Sequence, residues 1–146
     1  DDPRRDRPRV RRHQADRPAT WHTVEAPLAL ADTLRREAAP GRCLIVDCLT
    51  LWLTNLLGDA HTLPAGGEAE ALPLFRRERD ALLATLPTLP GHVLLVANEV
   101  GLGLVPETAL GRLFRDEAGR LNQAVAALCG RVVFVAAGLP LVLKQG

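Results

Sequence analysis

Cys43-Leu44-Ile45-Val46-Asp47 is a run of four apolar residues that ends on a carboxylate, and the residues after it, from Leu49 to Leu57, read as a short apolar helix. A run without polar alternation fits a parallel strand covered on both faces, where each side chain meets a neighbouring layer whichever way it points. His92 to Ala97 repeats the pattern, and Arg131 to Ala136 repeats it again. Between these strands lie helical segments. Leu28, Leu30 and Leu34 share a face in the stretch Pro27 to Ala38, which Pro40-Gly41 closes. Glu68 to Leu86 is charged and amphipathic and stops at Pro87 and Pro90, and Glu107 to Cys129 is a long helix. Leu141 to Leu143 is a candidate short last strand, while Leu63 to Gly67 and Asn98 to Pro106 are loops by composition.

Strands alternating with helices of this length imply right-handed crossovers and an α/β fold with a mostly parallel sheet flanked by helices. In such sheets ligands bind beyond the carboxyl ends of the strands. Asp47, and Asn98 with Glu99, follow directly on apolar strands and are therefore the first candidates for a site. For Asp47 two readings stand side by side: a cap for the helix containing Thr50, or the strand-terminal carboxylate of a phosphate-loop enzyme, which holds magnesium or its water shell.

Composition narrows the class. A chain of 146 residues with 47% hydrophobic content suits one domain, residues 1–146, with an ordinary core. Its 18 basic and 17 acidic residues leave a net charge of +1, so no global field recruits nucleic acid or a membrane. The excess positive charge gathers at the N-terminal end, in Arg4, Arg5, Arg7, Arg9, Arg11, Arg12 and Arg17. Such a run is ordinarily a solvated segment, and it is also able to meet phosphates. Cys43, Cys48 and Cys129 form no Cys-x-x-Cys pair, which argues against a disulfide framework or a zinc site. No apolar stretch is long enough to span a bilayer and no signal region follows the Arg-rich start, so a cytoplasmic location is expected.

Four blocks in order give the sequence a specific likeness. They are Arg12-His13-Gln14-Ala15-Asp16-Arg17-Pro18 followed by Trp21-His22-Thr23-Val24-Glu25, then Asp47 with Thr50 to Leu57, then Asn98 to Glu107, then Phe114 to Gln123. Together they resemble the bifunctional adenosylcobinamide kinase and adenosylcobinamide-phosphate guanylyltransferase family of cobalamin biosynthesis. The resemblance implies a phosphate-loop nucleotide-hydrolase-like (RecA-like) fold. It also implies that the first strand and the Gly-rich Lys-Ser loop precede Asp1, a segment of roughly 30 residues. The chain has no methionine and a single lysine, Lys144, too near the end to serve that loop. The expectation is a nucleotide-binding domain truncated at its N-terminus, without kinase activity in that form.

The family phosphorylates adenosylcobinamide with ATP or GTP and then transfers GMP from GTP to the phosphate through a histidine. By this resemblance His13 carries the GMP. Gln14, Ala15, Asp16 and Arg17 contact the nucleotide, Glu25 is a further nucleotide contact, and Asp47 is a nucleotide and magnesium contact. A neutral imidazole suits the task, because its phosphoramidate remains reactive enough to pass the nucleotide on. Taken alone, a histidine in a polar Arg-rich segment is more simply an exposed residue. Glu25 is able to accept from the N1 and N2 hydrogens of guanine, a pattern adenine lacks. His22, His61 and His92 read as surface or structural, and Arg112, Arg115 and Arg120 as partners of Asp116, Glu117 or a neighbouring subunit.

The expected ligands are thus GTP, ATP and Mg, with adenosylcobinamide and its phosphate as small-molecule substrates and a homo-oligomer, a trimer by resemblance, as the assembly. Two competing readings stand beside this one: a non-catalytic nucleotide-binding or subunit module, and another phosphate-loop small-molecule kinase.

Overall fold

The computed structural model describes residues 11, 12, 14–58, 69 and 72–146. In chain order they form α1 (Leu30–Glu37), β1 (Cys43–Asp47), α2 (Leu49–Leu57), α3 (Pro73–Thr85) with a 3-10 turn at Leu86–Thr88, β2 (His92–Val96), α4 (Ala109–Leu128), β3 (Arg131–Ala136) and β4 (Leu139–Gln145). β1 and β2 pair in parallel, Cys43 opposite His92 and Asp47 opposite Val96, so the two strands end level with each other. The architecture is α/β, a parallel sheet packed against helices.

α2 is the centre of the core. Leu49, Trp52, Leu53, Leu56 and Leu57 are buried and lie at the i, i+3, i+4, i+7, i+8 positions of one helical face. Its threonines do not disturb it. The Thr54 hydroxyl donates to the Thr50 carbonyl at 3.0 Å, so that group is satisfied within the helix. Leu30 and Leu34 of α1, Phe75 and Leu82 of α3, and Leu113, Leu121 and Val125 of α4 complete the cluster, with Leu44, Val46 and Leu95 of the sheet against it.

α1 starts at Leu30 rather than Pro27 for a specific reason. Trp52 Nε1 donates to the Leu28 carbonyl at 2.8 Å and Asn55 Nδ2 to the Pro27 carbonyl at 3.1 Å, so α2 takes two acceptors that a longer helix would use itself. α3 begins at Pro73, whose missing N–H costs nothing in a first turn. The expected start at Glu68 lies outside the described residues. Gly91, at φ +77°, turns the chain into β2, and a Cβ there would collide with the carbonyl oxygens of Ala39 and Arg42.

The sheet differs from the expectation in two respects. Strands covered on both faces were expected, but among the described residues only the face carrying Leu44, Val46 and Leu95 is packed, while Ile45, Leu94 and Val96 are exposed. An unbroken apolar run tells that both faces suit burial, and it does not tell what lies on each. In addition β3 and β4 form an antiparallel pair separate from β1 and β2. The last strand runs from Leu139 to Gln145, longer than Leu141 to Leu143. A two-residue turn, Ala137 at φ 53° and Gly138 at φ 73°, closes the hairpin, as the twist of paired strands requires. Pro140 is tolerated because, among the described residues, β4 pairs with β3 alone and keeps an open edge. Lys144, at the far end of the hairpin, donates to the Ala126 and Ala127 carbonyls at 3.0 and 3.2 Å and so caps the C-terminus of α4.

Candidate functional site

The level ends of β1 and β2 make one mouth, and the chain around it supplies polar groups from four places. At the end of β1 stands Asp47. Cys48, not Asp47, is the N-cap of α2, its sulfur accepting from the Leu51 N–H at 3.4 Å. Capping is therefore not the role of Asp47, and of the two readings of this carboxylate the cap is excluded. Instead Asp47 Oδ2 lies 3.5 Å from Arg17 Nη2.

Arg17 reaches the mouth from the N-terminal segment. Residues 11, 12, 14 and 15 have helical backbone, the Asp16 N–H closes on the Arg12 carbonyl at 2.9 Å and the Arg17 N–H on the Gln14 carbonyl at 3.4 Å. The chain then turns at Pro18 and continues without regular secondary structure from Trp21 to Ala26. Arg17 Nη1 donates to Thr23 Oγ1 at 3.3 Å. One guanidinium thus ties the turn, the irregular segment after it and the end of β1 together. Side-chain exposures of 31% for Arg17 and 47% for Asp47 leave both groups open to an incoming ligand.

The fourth contribution comes from β2. Thr50 Oγ1 accepts from the Asn98 N–H at 2.8 Å, so the first turn of α2 fixes the point where the chain leaves β2. Beyond it Glu99 Oε1 accepts from the Gly101 N–H at 2.7 Å. Arg115 of α4 donates to the Gly101 carbonyl at 2.7 Å, and Arg112 to the carbonyls of Pro106 and Glu107 at 3.1 and 2.8 Å. These two arginines bind loop carbonyls and not Asp116 or Glu117, the partners expected for them within the chain. Arg120 does pair with Glu117, whose side chain is buried.

Of the expected site residues, Arg17 and Asp47 meet directly. Gln14, Ala15 and Asp16 occupy the turn leading into Arg17 and are exposed. Glu25 is exposed on the irregular segment between Trp21 and Ala26. His13 lies outside the described residues, as does His61. His22 is exposed, in keeping with a surface residue. The roles of Thr23, Thr50 and Arg115 are additions. Thr50 and Asn98 are 48 positions apart, and no local pattern announces such a contact. For Arg115 the clue was available: an arginine one helical turn from Arg112, on the helix that follows a glycine-containing loop.

Among the described residues no three His, Cys, Asp or Glu side chains gather as a metal would need, and no helix is long and apolar enough to cross a membrane. A single strand-terminal carboxylate is a poor cage for a resident ion. It is a fitting contact for an ion that arrives with phosphates and keeps most of its water.

A family model described as cobinamide kinase / cobinamide phosphate guanyltransferase matches residues 5–143. The bifunctional adenosylcobalamin biosynthesis protein CobP of Pseudomonas aeruginosa is 54% identical over 138 residues, which span 93% of this chain and 73% of that protein. The bifunctional adenosylcobalamin biosynthesis protein CobU of Escherichia coli is 36% identical over 139 residues, 93% of this chain and 77% of that protein. Its namesake in Salmonella typhimurium is 36% identical over 142 residues, with the same two shares.

Proposed function

Because the chain belongs to the cobinamide kinase / cobinamide phosphate guanyltransferase family, we propose that its polar mouth is the seat of GMP transfer in adenosylcobalamin biosynthesis. The family's activity is that of a bifunctional transferase acting on cobinamide and nucleotides. The other two readings, a non-catalytic module and an unrelated phosphate-loop kinase, give way to it. What carries the reading of this particular site is Arg17, which reaches both Thr23 and Asp47 at the carboxyl end of β1.

The proposed chemistry has two displacements. His13 attacks the α-phosphorus of GTP, an N–P bond forms, the bond from that phosphorus to the bridging oxygen breaks, and pyrophosphate leaves. A phosphate oxygen of adenosylcobinamide phosphate then attacks the same phosphorus, the N–P bond breaks, and adenosylcobinamide-GDP leaves with His13 restored. Splitting the reaction in this way replaces one difficult step with two easier ones. Arg17 exchanges part of its contact with Asp47 for phosphate oxygens, for which its planar fork is suited. Gln14, Ala15 and Asp16 line the nucleotide beside it, and Glu25 selects guanine through N1 and N2. Asp47 would hold a magnesium ion entering with the triphosphate, which supplies charge neutralisation at the phosphates. In the full-length protein ATP or GTP serves the phosphorylation of adenosylcobinamide on a RecA-like phosphate-loop fold, of which these 146 residues, with no Gly-rich Lys-Ser loop, form the nucleotide-binding part without kinase activity of their own. We place the enzyme in the cytoplasm as a homo-oligomer, a trimer by resemblance.

The direct test supplies the full-length protein with GTP labelled at the α-phosphate and with adenosylcobinamide phosphate. Label should appear in adenosylcobinamide-GDP with stoichiometric pyrophosphate. Release of label only as free GMP would overturn the reading.

A further inference from the structure

The loop leaving β2 joins a firmly held base to a bare apolar tip. At its base the Asn98 N–H is held by Thr50, and both peptide groups of Gly101 are engaged, the N–H by Glu99 and the carbonyl by Arg115. A Cβ at Gly101 would stand 2.7 Å from Glu99 Oε1, so a larger residue there would displace the Glu99 side chain that holds the loop. Val100 packs against the core, and Arg112 holds the far end at Pro106 and Glu107. Between these clamps the side chains turn outward: Leu102 is 81% exposed, Leu104 96% and Val105 71%. Single exposed leucines are ordinary on a protein surface. Three large apolar side chains within four residues, on a loop pinned at both ends, form a patch that marks a binding surface.

We infer that this tip is the docking element for the macrocycle of the corrinoid acceptor, with Leu102, Leu104 and Val105 lying against its apolar face. The inference rests on the transfer reaction proposed above. A cobinamide is a macrocycle studded with methyl groups and fringed with amides, far wider than a nucleotide base. Its phosphorylated arm must reach the mouth at Asp47 while the ring stays outside, and the loop leaves the mouth at Asn98, tethered to the same helix turn that follows Asp47. Apolar side chains there serve a ring and have nothing to offer a triphosphate. Pinning the base lowers the ordering cost of binding, and the glycine at 103 lets the tip follow the ring.

The test uses the full-length protein and a Leu102→Ser/Leu104→Ser double variant, with Leu139→Ser, an exposed leucine of the β3–β4 hairpin, as control. Cobinamide retention is measured by equilibrium dialysis, with steady-state transfer, GMP labelling from GTP and sedimentation measured in parallel. Loss of two apolar contacts should weaken cobinamide retention about tenfold or more and raise KM for the cobinamide phosphate to match. kcat, labelling by GTP and sedimentation should stay unchanged, and Leu139→Ser should behave as the parent. Unaltered cobinamide retention in the double variant overturns the inference. So does a changed oligomeric state, which would make the tip a contact between copies. If the parent takes up GMP but retains no cobinamide, the inference fails and the transfer reaction stands. If it retains cobinamide through this loop but takes up no GMP, the inference stands and the proposed histidine chemistry falls.

Discussion

Arg17 and Asp47 lie 3.5 Å apart and are both partly exposed, at 31% and 47% of their side chains, so their attraction is shared with water. Pairs of this kind contribute about 0 to 1 kcal/mol to stability, and opening one costs correspondingly little. Such a pair can be exchanged for contacts to phosphate and magnesium. Asp47→Asn should therefore shift the free energy of unfolding by less than about 1 kcal/mol while lowering magnesium-dependent transfer by an order of magnitude or more at limiting magnesium. Thermal melts and transfer rates on the same protein decide it, and unchanged transfer would remove Asp47 from the site. Glu25 makes a different prediction. Glu25→Gln replaces a carboxylate that accepts from both guanine hydrogens with an amide that has one acceptor and two donors, so the preference for GTP over ATP in self-labelling should fall about tenfold or more. Asp47 was legible in the sequence because a strand-terminal acid has few positions to occupy. Its contact with Arg17 was not, since a salt bridge across 30 positions leaves no periodicity.

Elements were legible in proportion to the regularity of their apolar spacing. α2 has the extent expected, Leu49–Leu57, because its stripe of leucines and Trp52 is uninterrupted. The start of α1 was read too early, because the hydrogen bonds from Trp52 and Asn55 that claim the Leu28 and Pro27 carbonyls come from another element. Phe75, wholly buried in α3, joins that helix to the core, and Arg79 stacks over its ring at 5.3 Å to the centroid. Phe75→Ala should destabilise the fold by about 3 to 5 kcal/mol, the cost of lost transfer energy and the cavity left behind, as read from denaturant unfolding. A gentler change probes the link between α2 and the loop. Thr50→Val keeps the shape of the side chain and removes the acceptor for the Asn98 N–H. Stability should fall by about 1 kcal/mol, with hydrogen exchange of the Asn98 amide accelerated while amides within β2 keep their protection. Equal acceleration throughout β2 would mean that Thr50 supports the strand and not the loop exit.

At the scale of the whole molecule, the alternation of strands and helices was readable, and it is the ground for proposing a site beyond the ends of β1 and β2. Which strands pair was not. β3 and β4 carry apolar residues much like those of β1 and β2, yet they form a hairpin because Ala137 and Gly138 adopt left-handed backbone and reverse the chain in two residues. A glycine after two alanines is a weak turn signal, and Pro140, which cannot donate to a strand ladder, is an unusual second residue for a strand. The functional reading, by contrast, draws on blocks distributed from Arg12 to Gln123, and it converges on one intermediate, GMP joined to a histidine. The most direct measurement exposes the full-length protein to GTP labelled at either the α- or the γ-phosphate, with His13→Asn and His22→Asn in parallel. The account predicts that the parent and His22→Asn retain only the α-label, in an acid-labile and alkali-stable bond, and that His13→Asn retains none. Acid-labile GMP on His13→Asn, or its loss from His22→Asn alone, would contradict it.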